Sequence, residues 1–258
     1  MKLIYFFYII LHMSERKQYV YTKKKQPFFR IIKGIIKIFA IKKPKIVNQN
    51  DKIPTDGILL GPHMWKMGPF YLSTYYPEKC AIMGASPMLG SYKERFHYLR
   101  DIYYMQKCHK KKFASTLKAG FEAIFSIYIY KGMHLIPSYE DMRLLQTISD
   151  IKGNLENGLP VFIFPENSDK GYQLVMNDLR EGFITIVKFL NKKRGIDTPI
   201  YPYYVHKKRR YLAIGKPFYL SEWEGKPNSD LVEYAKDRIN ELNPWLEEDK
   251  KNDPLYTE

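Results

Sequence analysis

From residue 58 onward the chain alternates short, wholly apolar runs with longer stretches of helical periodicity, and this alternation limits the folds open to it. The runs 58–60, 81–83, 134–136, 161–164, 200–205 and 211–214 are too short for helices and read as strands. Between them, 139–157, 178–192 and 229–242 carry helical patterns. A strand wet on one face alternates apolar and polar residues, whereas one covered on both faces is apolar throughout. The pattern therefore predicts an α/β fold, a mixed and largely parallel sheet flanked by helices. Apolar residues make up 45% of the 258, enough for one substantial core. No period of solenoid length interrupts this reading.

Charge is unevenly placed. The chain carries 42 Lys and Arg against 27 Asp and Glu, a formal +15, which predicts an anionic partner. No acidic residue occurs between Arg16 and Lys45, while the stretch from Glu241 to Glu258 is mostly acidic. Within the basic region, PFFRIIKGIIKIF spaces Arg30, Lys33 and Lys37 along one helical stripe and Phe28, Ile31, Ile32, Ile35 and Phe39 along another. Pro27 suits the first turn and Pro44 ends the segment. A basic amphipathic helix with a broad apolar face is the pattern of a segment lying in a membrane interface. A nucleic-acid-binding arm would gain nothing from Ile and Phe there, so the expected partner is a membrane lipid surface and no nucleic acid. The bland alternative is a helix packed on its own domain.

The apolar stretch 3–11 is too short to cross a bilayer and lacks a signal-peptide cleavage site, and Met13 is a second candidate start. Cys80 and Cys108 form no C-x-x-C pair, which speaks against a zinc site and for a reducing, intracellular setting. The expected organisation is a leader and basic segment over 1–26, an interface helix over 27–45, an α/β domain over 46–245 and an acidic tail over 246–258. The cluster KCHKKK at 107–112 reads as an exposed loop or helix end. Neither a phosphate-binding glycine loop nor a G-x-S-x-G elbow is present.

Two residue groups able to carry chemistry follow predicted strands, where open α/β sheets place their sites. GPHMWKMG puts His63 after the first strand of the domain, and FPENSDKG puts Glu166 directly after the strand at 161–164. Pro202 enters a further strand in PIYPYYV. In this order and spacing they resemble the PlsC-type glycerolipid acyltransferase superfamily, whose blocks are N-H-x4-D, G-x-x-x-I-x-R, F-P-E-G and a late V-P strand. The counterparts are His63 to Gly68, Gly132 to Ser138, Phe164 to Asn167, and Ile200 to Pro202. The resemblance spans roughly residues 55–220, most specifically VFIFPEN followed by a helix and TPIYPYYV.

That resemblance implies acyl transfer from a thioester, acyl-CoA or acyl carrier protein, to a lysophospholipid acceptor at the cytoplasmic face of the membrane, with no cofactor and no metal. His63 inherits the role of general base and Glu166 a place at the acceptor site, with Phe164, Pro165, Asn167 and Lys66 around them. The chain departs from the pattern at Gly68, where the family has Asp, at Asn167, where it has Gly, and at Ser138, where it has the phosphate-binding Arg. Arg143, one helical turn on, is the candidate replacement for that Arg. The departures leave open a lipid-binding member without catalysis, and the charge alone leaves open a basic nucleic-acid-binding module.

Overall fold

The computed structural model of the chain describes residues 18–22, 27–39, 41–64, 67–139, 141–166 and 174–252. The apolar stretch 3–11, Met13, the lysines 23–25 and the end of the acidic tail lie outside the described residues. The described residues form seven strands: β1 (Lys45–Asn48), β2 (Ile58–Leu60), β3 (Ala81–Ala85), β4 (Leu135–Ser138), β5 (Val161–Ile163), β6 (Ile200–His206) and β7 (Tyr211–Ile214). They make one sheet in the order β1-β7-β6-β2-β5-β3-β4. Every neighbouring pair is parallel except the β6–β7 hairpin. The fold is thus α/β with a mixed, mostly parallel sheet flanked by helices. β2 and β5, in the middle, are buried at every position, which is why their sequences are unbroken apolar runs. The additional strand is β1, at the sheet edge, where half-buried positions leave no apolar run to read.

Helix α1 (Pro27–Phe39) precedes the sheet, and α2 (Gly68–Tyr75) follows β2 and packs on β3. Pro69, in the first turn of α2, has no N–H to leave unsatisfied there. α3 (Tyr92–His97) starts in a capping box in which Ser91 and Glu94 satisfy each other's main-chain N–H groups. It runs on without a break into ten residues of π-helix, Tyr98–Lys107. Such wide turns are rare and recur at functional sites. α4 (Lys112–Gly132) packs along this π-helical segment and on β4. α5 (Leu144–Glu156) covers β4 and β5 and contacts α6 (Gly182–Arg194), which ends at Gly195 with φ of 69°. α7 (Asn228–Asn240) packs on β6. α8 (Leu246–Asn252), in the acidic stretch, is anchored by Asp249, which is buried and accepts a hydrogen bond of 2.9 Å from Asn243.

α1 divides its apolar residues between two sides. Phe29 is buried edge-on against Phe70, and Ile32 and Ile36 pack on the core, while Ile31 and Ile35 are exposed. Gly132 makes room for this docking, since a Cβ there would lie 2.1 Å from the Phe29 ring. Lys33 does not share a solvated stripe with Arg30 and Lys37. Its ammonium donates to the Ser73 carbonyl, and burial lowers its pKa.

Candidate active site

β2, β3, β4, β5 and β6 run parallel, so the segments leaving them emerge on one side of the sheet. The two central exits carry the candidate residues. After Leu60, paired with Ile163 of β5, the chain passes through Gly61 and Pro62 to His63. Three hydrogen bonds from neighbouring strands hold these residues. The Gly61 N–H donates to the Ile163 carbonyl at 3.3 Å. The buried Tyr203 hydroxyl of β6 donates to the Pro62 carbonyl at 2.8 Å. The His63 N–H donates to Glu166 Oε1 at 3.0 Å. Only glycine fits at 61, because a Cβ would lie 2.2 Å from the Tyr203 carbonyl oxygen. Met64 then adopts φ of 66°, a left-handed conformation uncommon outside glycine and enriched where a site is held under strain.

Glu166 arrives from the adjacent strand, and its turn is fixed by a 2.7 Å bond from the Arg180 N–H to the Pro165 carbonyl. The side chain is only 6% exposed. Oε2 has no hydrogen-bond partner among the described residues, although Oε1 has the His63 N–H. A carboxylate stripped of water and half-satisfied holds its proton more tightly. Burial pushes Glu166 up to about 7, against the opposing pulls of the His63 N–H and the Lys107 charge. The Phe164 ring stands edge-on to the His63 imidazole, with centroids 4.9 Å apart.

Both residues open into a cavity of about 690 Å³, within the range of small-molecule sites. Its walls are largely apolar, Met88, Leu99, Ile129 and Leu135 among them. Its polar groups include His63 and Glu166, Ser138 at the end of β4 and Tyr139 just after it, Glu122 of α4, and Lys107, Asp141 and Arg143. Five residues singled out from the sequence, His63, Phe164, Glu166, Ser138 and Arg143, therefore meet in one space. Pro165 does not line it and serves the turn. Lys66 and Asn167 lie outside the described residues.

Arg143 comes with a counter-ion. Its guanidinium binds both carboxylate oxygens of Asp141, at 2.9 and 2.6 Å, and stacks 4.3 Å from the centroid of Tyr139. The pair holds the Asp141 carboxyl down at about 2. An incoming phosphate would thus compete with Asp141 for this arginine. Gly68, where the motif that the sequence resembles has aspartate, is the first residue of α2 and supplies no side chain. The carboxylate nearest in role is Glu166, which reaches His63 through its main chain.

Lys107 was expected, with its neighbours, in an exposed loop or at a helix end. It does end a helical segment, the π-helical one, but it is half-buried and lines the cavity, where its charge acts on Glu166. Nothing in KCHKKK separates this lysine from Lys110, Lys111 and Lys112, which are exposed. Glu122 was also missed. It faces inward to accept a 2.6 Å hydrogen bond from Tyr104, a contact that depends on the pairing of α4 with the π-helical segment. Among the described residues no cluster of His, Cys, Asp and Glu is arranged to hold a metal ion. Nor is any described helix long and apolar enough to cross a membrane. Comparison with protein-family models found no match, and comparisons with curated proteins and with solved structures found none either.

Proposed function

We propose that the chain is an acyltransferase of the PlsC type, moving a fatty acyl group from a thioester to the hydroxyl of a lysophospholipid or related glycerolipid at a membrane surface. The observation that carries this reading is the meeting of His63 and Glu166, from adjacent parallel strand ends, in a largely apolar cavity with basic groups on its wall. An apolar wall suits an acyl chain, and Lys107 and Arg143 suit a phosphate of the acceptor or donor. The donor, acyl-CoA or acyl carrier protein, is already activated and calls for no further cofactor.

In this mechanism the His63 imidazole takes the proton of the acceptor hydroxyl as its oxygen attacks the thioester carbonyl carbon. The tetrahedral intermediate collapses, the C–S bond breaks, and the thiolate leaves with the proton returned by His63. A new ester and a free thiol result. Glu166, buried beside this chemistry with its proton affinity raised by that burial, fixes the His63 main chain through Oε1 and leaves Oε2 without a hydrogen-bond partner among the described residues. The exposed Ile31 and Ile35 of α1, with Arg30 and Lys37, support a peripheral or monotopic seat on the cytoplasmic face of the membrane.

One observation favours a second reading, lipid binding without turnover: Glu166 grips the main chain of His63, and the aspartate position is Gly68. Thiol release from acyl-CoA and from acyl carrier protein, with and without lysophosphatidic acid, separates the two. Acceptor-dependent release that falls by about 10²–10⁴ in His63→Ala supports acyl transfer. Lipid binding with no release from either donor supports the second reading.

A further inference from the structure

α4 turns most of its large apolar residues outward. Its fully buried residues are small, Ser115, Ala119, Ala123 and Ser126. Of its large apolar residues, Ile129 and Tyr130 near the C-terminal end pack on the core, while Phe113, Leu117, Phe121, Ile124, Phe125 and Tyr128 recur at spacings of three and four and are exposed, Phe113 by 77% and Phe121 by 71%. The small residues let the helix approach the π-helical segment and α3 closely, and the exposed large ones are left as a continuous stripe facing away from the protein. Scattered exposed apolar side chains are ordinary on any surface, but a stripe of this kind marks a contact surface.

Charge says what kind. From Lys107 to Gly132 the chain carries six lysines and one acidic residue. That acid, Glu122, is turned to Tyr104 and the cavity. Lys110, Lys111 and Lys112 stand exposed at the head of the helix, Lys118 lies along it, and Lys131 stands at its foot. An apolar stripe flanked by lysines matches the acyl and headgroup layers of an anionic bilayer, where ammonium groups reach the phosphates while the rings sink below them.

We infer that α4 is a membrane-docking face of this protein, seated on an anionic lipid surface through Phe113, Leu117, Phe121, Ile124, Phe125 and Tyr128. The position has a consequence for the cavity. Ser126, Ile129 and Tyr130 of the same helix line it, so α4 is a wall with the cavity on one side and lipid on the other. Docking puts the site about one helix diameter, roughly 10–12 Å, from the bilayer. The inference rests on the membrane-surface part of the proposed function but not on its chemistry.

The test is sedimentation of the full chain with phosphatidylcholine vesicles, with and without phosphatidylglycerol, which requires no turnover. Phe121→Glu/Phe125→Glu and, independently, Phe113→Glu/Leu117→Glu should each lower binding at least about tenfold with an unchanged circular dichroism spectrum. Replacing Lys110, Lys111 and Lys112 by Ser should cost on the order of 100-fold on anionic vesicles and far less on neutral ones. Three results would overturn the inference. One is wild-type protein that stays in solution with both vesicles. Another is binding lost in Ile31→Glu/Ile35→Glu but unchanged in both α4 variants, which would leave α1 as the anchor. The third is self-association in buffer that the α4 variants abolish, which would give the stripe to a second copy of the chain.

Discussion

Replacing Glu166 by Gln removes a carboxyl whose proton affinity differs between the folded and unfolded chain, and the difference appears as a pH slope in stability. Unfolded, the group has its ordinary value of 4.5, and folded it is raised to about 7. Between those values the native state keeps a proton that the unfolded chain has released, so stability is lost as pH rises through the window. The interval, at about 1.4 kcal/mol per tenfold change in affinity, amounts to about 3 kcal/mol, nearly all of it spent between about pH 4 and about pH 8. Gln keeps a carbonyl oxygen for the His63 N–H and has nothing to titrate. Any constant cost of its amide shifts the variant's curve without tilting it. Urea unfolding of both proteins across that range, taken as the difference at each pH, cancels every other titrating group. Wild type should lose about 3 kcal/mol relative to Glu166→Gln from the acid to the alkaline end. A difference that stays level would show that the buried carboxyl is not protonated, and the account of the site given above would fail. A difference of opposite slope would mean that an ionic partner outweighs burial.

The supports of the His63 loop are open to similar tests. Gly61→Ala sets a methyl 2.2 Å from the Tyr203 carbonyl oxygen, where β2 and β6 are hydrogen-bonded neighbours and cannot part freely. It should cost about 3 kcal/mol or more by denaturant unfolding, and near-neutral behaviour would mean that the strands give way. Tyr203→Phe leaves the Pro62 carbonyl without its buried donor and should cost about 1–2 kcal/mol. If the loop positions the imidazole, the same variant should lower kcat more than it raises KM in the thiol-release assay.

Strand and helix positions were legible where local pattern and burial coincide. β2 and β5 are sealed on both faces, and such strands must be apolar at every position. His63 and Glu166 stood out because each directly follows such a run, and parallel strands bring their exits to the same side. The edge strand β1 was hidden by its half-buried positions, and the π-helical run Tyr98–Lys107 has no periodicity that a search for 3.6-residue turns would pick out.

What belonged to the sequence alone was the class of the fold, its central strands and the two residues that follow them, because burial on both faces and chain order are local facts. Direction was another matter. Periodicity shows that α4 has a large-residue side and a small-residue side but not which one meets the protein. The close approach of the π-helical segment decided it, with Ser115, Ala119, Ala123 and Ser126 as the helix's buried residues. The same packing drew Lys107 out of a run of identical lysines into the cavity wall. There its charge acts on Glu166, an effect that no spacing in the chain reveals.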